Sequence, residues 1–136
     1  MVYTFSITDQ AVNTDEALAF NTDGVVYGSC TSHWGNPNIV QLRHAGLYYV
    51  SFNASASTTE TTGDLSAQLQ VNGVNYPGAL ATAGVADGKS LSFSALVKVL
   101  PNCCAVDSNI PASVSVVNTG VDAIYSNAAL TIIKIR

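Results

Sequence analysis

From residue 47 to residue 56 the chain alternates in polarity at nearly every step. Tyr48, Val50, Phe52, Ala54 and Ala56 are apolar, and Ser51, Asn53 and Ser55 between them are polar. A period of two sends successive side chains to opposite faces of an extended strand, one buried and one wet. A helix would scatter the same residues around its axis. The pattern recurs with Leu65, Ala67, Leu69 and Val71 set against Ser66, Gln68, Gln70 and Asn72. It returns with Leu91, Phe93, Ala95, Val97 and Val99 on one face, and in a shorter run with Val114 and Val116 opposed to Ser113 and Ser115. No stretch carries the three-and-four spacing of an amphipathic helix, so the chain is expected to be all-β.

The punctuation agrees. Asn72-Gly73 between two strand-like runs is the strongest short signal for a type I′ hairpin turn, because both central residues need positive φ. Asp23-Gly24, Gly63-Asp64, Asp87-Gly88 and Asn118-Thr-Gly120 mark further expected turns. Shorter candidate strands near 3–7, 17–20, 25–30 and 38–43 bring the total to about ten, a sandwich or barrel number. With no linker, internal repeat or low-complexity tract, residues 1–136 read as a single domain long enough to bury a core.

Residues 129–136 break the alternation. Leu130 and Ile132 fall on one face and Ile133 and Ile135 on the other. A strand apolar on both faces is normally covered on both, and in a small sandwich the second cover is expected to be another subunit. Ile133, Ile135 and the nearby Tyr49 are therefore the candidate trimer-interface residues. Composition points the same way. Apolar residues make up 48% of the chain and charged residues 10%, against about 25% in ordinary soluble domains. No apolar run approaches the ~20 residues of a membrane-spanning helix, so neither a membrane nor a nucleic acid is an expected partner. The net charge is −4, and the few cations (Arg43, Lys89, Lys98, Lys134, Arg136) are not clustered in sequence. The N-terminus has no basic start and no apolar core of a secretory signal.

Sites for chemistry are scarce. The two histidines, His33 and His44, come with no nucleophile elbow, and the many Ser and Thr lie on strand faces where such residues are ordinary. No catalytic residue, no cofactor and no enzymatic activity are expected. Gly84-Val-Ala-Asp-Gly88-Lys89-Ser90 imitates a phosphate-binding loop, but has three residues between its glycines where the motif needs four, and a strand follows where a helix is required. The cysteines are Cys30, Cys103 and Cys104. Cys30 can bond either neighbour of the adjacent pair more easily than that pair can bond itself. Alternatively, Cys30, His33, Cys103 and Cys104 offer four soft ligands to zinc, or all three thiols stay reduced. The most distinctive loop is His33-Trp34-Gly35-Asn36-Pro37-Asn38. Trp34, with His33 and Asn36 beside it, is the candidate ligand-binding group, able to stack on a sugar ring or anchor a protein. The other reading folds Trp34 back as a lid over one end of the core.

Gly46-Leu-Tyr48-Tyr-Val50-Ser-Phe52 resembles the signature strand of the C1q/TNF-like jelly-roll superfamily, with Val50 where that family carries Phe. Three further segments are similar to small proteins of gut bacteria and their phages: residues 70–79 (Gln-Val-Asn-Gly-Val-Asn-Tyr-Pro-Gly-Ala), Pro101-Asn-Cys103-Cys104 and Val117-Asn-Thr-Gly120. The resemblance implies a ten-stranded antiparallel jelly roll that trimerises about a three-fold axis, at the tips of collagen-like fibres or as phage head-fibre and capsid decoration proteins. The chain has no Gly-X-Y repeat, which suits the decoration role. By this resemblance the chain is expected to be a non-enzymatic structural protein at the virion surface, made in the host cytoplasm. Its partners would be itself, a phage capsid or fibre protein, and host or matrix glycans met by surface loops. The alternative is a bacterial surface or spore-coat C1q-like module that binds a protein. Residues 1–11 would then either pair in the sheet or dock onto a larger assembly.

Overall fold

The computed structural model describes residues 1–28, 31–32, 38–85, 89–100 and 112–136, apart from the side chains of Thr31, Ser32 and Lys89. Eleven strands occur among them: β1 (Val2–Ser6), β2 (Gln10–Val12), β3 (Thr22–Val26), β4 (Thr31–Ser32), β5 (Val40–Leu42), β6 (Gly46–Ser57), β7 (Asp64–Val71), β8 (Val74–Gly84), β9 (Lys89–Val99), β10 (Ala112–Asn118) and β11 (Ala123–Lys134). One sheet runs β3-β1-β11-β6-β9, with β2 also on β11; the other runs β4-β5-β10-β7-β8. Every pairing is antiparallel. Pairs nest around the β7–β8 hairpin: β6 with β9, β5 with β10, and the first strand with the last, Val2 facing Ile132. That nesting is a jelly roll, as the resemblance implies, and its two antiparallel sheets form the sandwich that alternation and turn chemistry predict.

The inward positions of β6 and β9 are the expected ones. Tyr48, Val50, Phe52, Leu91, Val97 and Val99 are buried between the sheets. Phe52 stacks on Phe93 at 5.1 Å and meets Phe20 edge-on at 6.4 Å. Burying a side chain of this class contributes roughly 1.5–3 kcal/mol. Gly46 earns its place in the signature strand sterically. Its φ is +149°, and a Cβ there would run into the Arg136 carbonyl and the Lys134 side chain.

Several expectations are corrected. Residues 17–20 form no strand. They cross irregularly from one sheet toward the other, held by the Leu18 amide donating to the Val116 carbonyl (2.8 Å) and by Gln10, whose carboxamide bonds both the amide and the carbonyl of Ala19 (2.9 Å each). Leu18 and Phe20 plug the core from this crossing. Asp23-Gly24 is no turn but lies within β3, where a Cβ on Gly24 would sit 2.9 Å from the rings of both Tyr3 and Phe5. Residues 1–11 supply β1 and most of β2, both paired to β11, so this segment is committed to the sheet. The Asn72-Gly73 turn forms as expected, with φ of +54° and +79°. The strand β9 begins at Lys89, where a phosphate loop would need a helix.

β7 departs most from simple alternation, since its polar Ser66 and Gln68 are buried as well. Gln68 pairs with Leu80 and Gln70 with Asn75, so residues 76–79 bulge out of β8 opposite Leu69. Pro77 and Gly78 (φ +81°) turn the chain inside this bulge. The Gln68 amide fills it, donating to the carbonyls of Leu69, Tyr76 and Ala79 at 2.9–3.1 Å.

Candidate functional site

The outward face of the β3-β1-β11-β6-β9 sheet carries the feature that most needs an explanation. Strand register lines up Ile133, Tyr49 and Leu96 across β11, β6 and β9. One step along, Val25 of β3 faces Tyr3 of β1, which in turn faces Thr131. Beyond β3 the Tyr27 amide donates to the Met1 carbonyl (2.8 Å), continuing the ladder, and Tyr27, Ile133 and Ile135 wall one hollow of about 370 Å³. An apolar and aromatic band therefore crosses the sheet near one end. In the single chain it is uncovered: Tyr27 is 76% exposed, Ile135 55%, Leu96 52% and Ile133 38%. Contiguous apolar surface of this kind marks an association site, and aromatic side chains supply much area at little entropic cost. Gly24 makes room for it, because any side chain there would push the Tyr3 and Phe5 rings away.

The other sheet presents a different face. Gln41, Ser113, Ser115, Gln70 and Thr82 point outward from β5, β10, β7 and β8, and the exposed apolar side chains there, Val74 and Leu80, are both on the edge strand β8.

The sequence-predicted residues divide accordingly. Tyr49, Ile133 and Ile135 all lie in the band, with Tyr49 directly opposite Ile133. Tyr3, Val25, Tyr27 and Leu96 were missed; they carry no periodic signal of their own and meet only through register. The candidate ligand-binding residues Trp34, His33 and Asn36 fall outside the described residues, and so do Cys30, Cys103 and Cys104. His44 sits in the turn before β6, where its carbonyl accepts the hydroxyl of the buried Tyr48 at 2.7 Å.

Inside the sandwich, one titratable group is strongly perturbed. The Tyr125 hydroxyl donates within a buried network to the Ser66 carbonyl (3.2 Å) and the Asn118 carboxamide oxygen (3.1 Å). Burial pushes its pKa up to about 12, so it stays neutral at any ordinary pH. Asn118 in turn donates to the carbonyls of Val12 and Val121, both at 3.0 Å. The network ties the Asn118-Thr-Gly120 turn to both sheets.

No protein-family model matches the sequence, and no curated protein matches it either. Solved structures do match, over nearly the whole chain. Murine APRIL superposes with a TM-score of 0.70 at 9% identity, covering 98% of this chain and 97% of that one. The globular domain of the zebrafish complement 1qA protein gives 0.68 at 13% identity, covering 99% and 96%. The PRD1 vertex protein P5 gives 0.62 at 13% identity, again covering 99% and 96%. Identities this low speak to fold alone, and the fold is a jelly roll of the C1q/TNF-like type.

Proposed function

We propose that residues 1–136 act as one domain of a non-enzymatic virion structural protein, a homotrimer displayed on a phage capsid or head fibre. The observation that carries the reading is the uncovered apolar band of Tyr3, Val25, Tyr27, Tyr49, Leu96, Ile133 and Ile135 on one sheet only. A second and third copy would cover it, which also accounts for a chain so poor in charge. Likeness to a vertex protein supports the virion setting. Surface loops, with Trp34 among their residues, would meet host glycans.

Ile133→Asp tests the assembly. Ile133 is partly exposed in the single chain, so the change should cost the isolated fold little while breaking a buried seam. Light scattering should give three times the chain mass for the wild type and one chain mass for the variant. A trimer that survives the substitution refutes the seam. Glycan-array binding that persists in Trp34→Ala would remove the ligand role of that loop.

The second reading, a bacterial surface or spore-coat module that binds a protein, draws on the complement 1qA likeness, whose TM-score of 0.68 exceeds the 0.62 of the vertex protein. Capsid and portal genes beside the coding sequence decide for the virion.

A further inference from the structure

Cations scattered through the sequence converge in the fold. Lys98 is the penultimate residue of β9, Lys134 closes β11, Arg136 follows it, and Arg43 precedes β6, so these four lie at the same end of the sandwich. None of them makes an ion pair with a described acidic side chain. Lys98 and Arg136 wall a hollow of about 490 Å³ whose remaining lining is Ala45, Gly46, Leu47 and Val99. The opposite end is chiefly acidic. Lys89 opens β9 there, but Asp15, Glu16, Glu60, Asp64 and Asp122 outnumber it, around the start of β7, the start of β11 and the Asn118-Thr-Gly120 turn. Residues 58–63 form a loop at that end, which carries the Glu60 carboxylate, and Asp64 opens β7 next to it; residues 59–64 are all exposed.

We infer that copies of this protein associate end to end, the acidic 58–63 loop and adjoining Asp64 of one copy entering the basic hollow lined by Lys98 and Arg136 of the next. Charge complementarity carries the assignment, because the same chain holds both a basic end without an acidic partner among the described residues and an exposed acidic loop at the opposite end. A contact between two different patches is head-to-tail, and because these lie at opposite ends of the sandwich it propagates as a stack along the strand direction. The contact goes beyond the trimeric reading and does not require it. In a trimer the same contact would be made three times per step, which raises its effective strength without new chemistry.

Ionic strength separates the two assemblies. Screening lengths are about 30 Å at 10 mM salt and about 3 Å at 1 M, so a charge-driven stack grows at the first and dissolves at the second, while an apolar seam persists. Sedimentation of the wild type at about 10 mM salt should show at least a doubling of the mass found at about 1 M salt. Glu60→Lys and Asp9→Lys each change the net charge from −4 to −2, but only Glu60 lies on the loop; Asp9 sits on the flank between β1 and β2. Growth should be lost in Glu60→Lys and kept in Asp9→Lys. Lys98→Glu with Arg136→Glu should abolish it too, and adding Glu60→Lys with Asp64→Lys to that pair should restore it at the original net charge. The mass at 1 M salt reports the trimer independently in each case. A wild type that does not grow, or growth that follows net charge regardless of position, overturns the inference and leaves the basic end to an acidic partner of another kind. Failure of the fourfold exchange to restore growth overturns it as well.

Discussion

Tyr125 brings a hydroxyl into the core, and the cost of ionising it there has a measurable sign. Its pKa is near 12 in the folded chain, above the unfolded value of 10.0. The folded state therefore favours the protonated form. The resulting stability is complete below pH 10 and is lost as pH rises from about 10 to about 12. Denaturant titrations across that window should show the wild type losing more stability than Tyr125→Phe. Below pH 9 the variant should be weaker by roughly 1 kcal/mol, the worth of one buried hydrogen bond. Equal slopes for the two proteins would place the hydroxyl in water. Gly120 offers a second test at this scale. A Cβ there would overlap the Asp64 carbonyl and lie 2.7 Å from the Ser66 amide, both backbone atoms that cannot swing aside. Gly120→Ala should cost about 3 kcal/mol, at the top of the range for overpacking, and a melting temperature within a degree of wild type would contradict that contact.

At the level of the element, the bulge in β8 depends on its neighbour. Gln68 donates to three carbonyls around the bulge, so Gln68→Leu should strip the bulge of its polar lining and cost roughly 1–3 kcal/mol. Hydrogen exchange should accelerate in residues 74–81 before it does in β6. The same strand pair shows what a sequence can and cannot disclose. β6 and β9 were legible because their alternation is local and each keeps one phase along its length. The Asn72-Gly73 turn was legible because positive φ selects those residues. Gln68 read as a solvent-facing residue, since the four-residue bulge that buries it is a property of the pairing. Leu18 and Phe20 read as a strand, but their burial comes from an irregular crossing that has no period. Ile133 and Ile135 gave the outer face away because they sit next to Leu130 and Ile132 in one strand. Tyr3, Val25, Tyr27 and Leu96 come from three other segments, and only the assembled register makes them one surface.

For the whole molecule, two kinds of surface are divided between sheets and ends. The apolar band occupies one sheet, and the charges separate along the strands, so lateral and axial contacts draw on different physics and respond differently to salt. Nesting imposes a further condition. Val2 and Ile132 stand opposite each other although 130 residues separate them along the chain. β11 is hydrogen-bonded to β1, β2 and β6 together, so none of these can complete its ladder until the final segment arrives. On a ribosome β11 emerges after every strand it pairs with. The nascent chain must therefore carry an open sheet edge and an unsealed core until residues 123–134 have cleared the exit tunnel. Arrest of translation before residue 123 should leave a protease-sensitive polypeptide, and exposure of residues 123–134 should convert it in one late step to a resistant form.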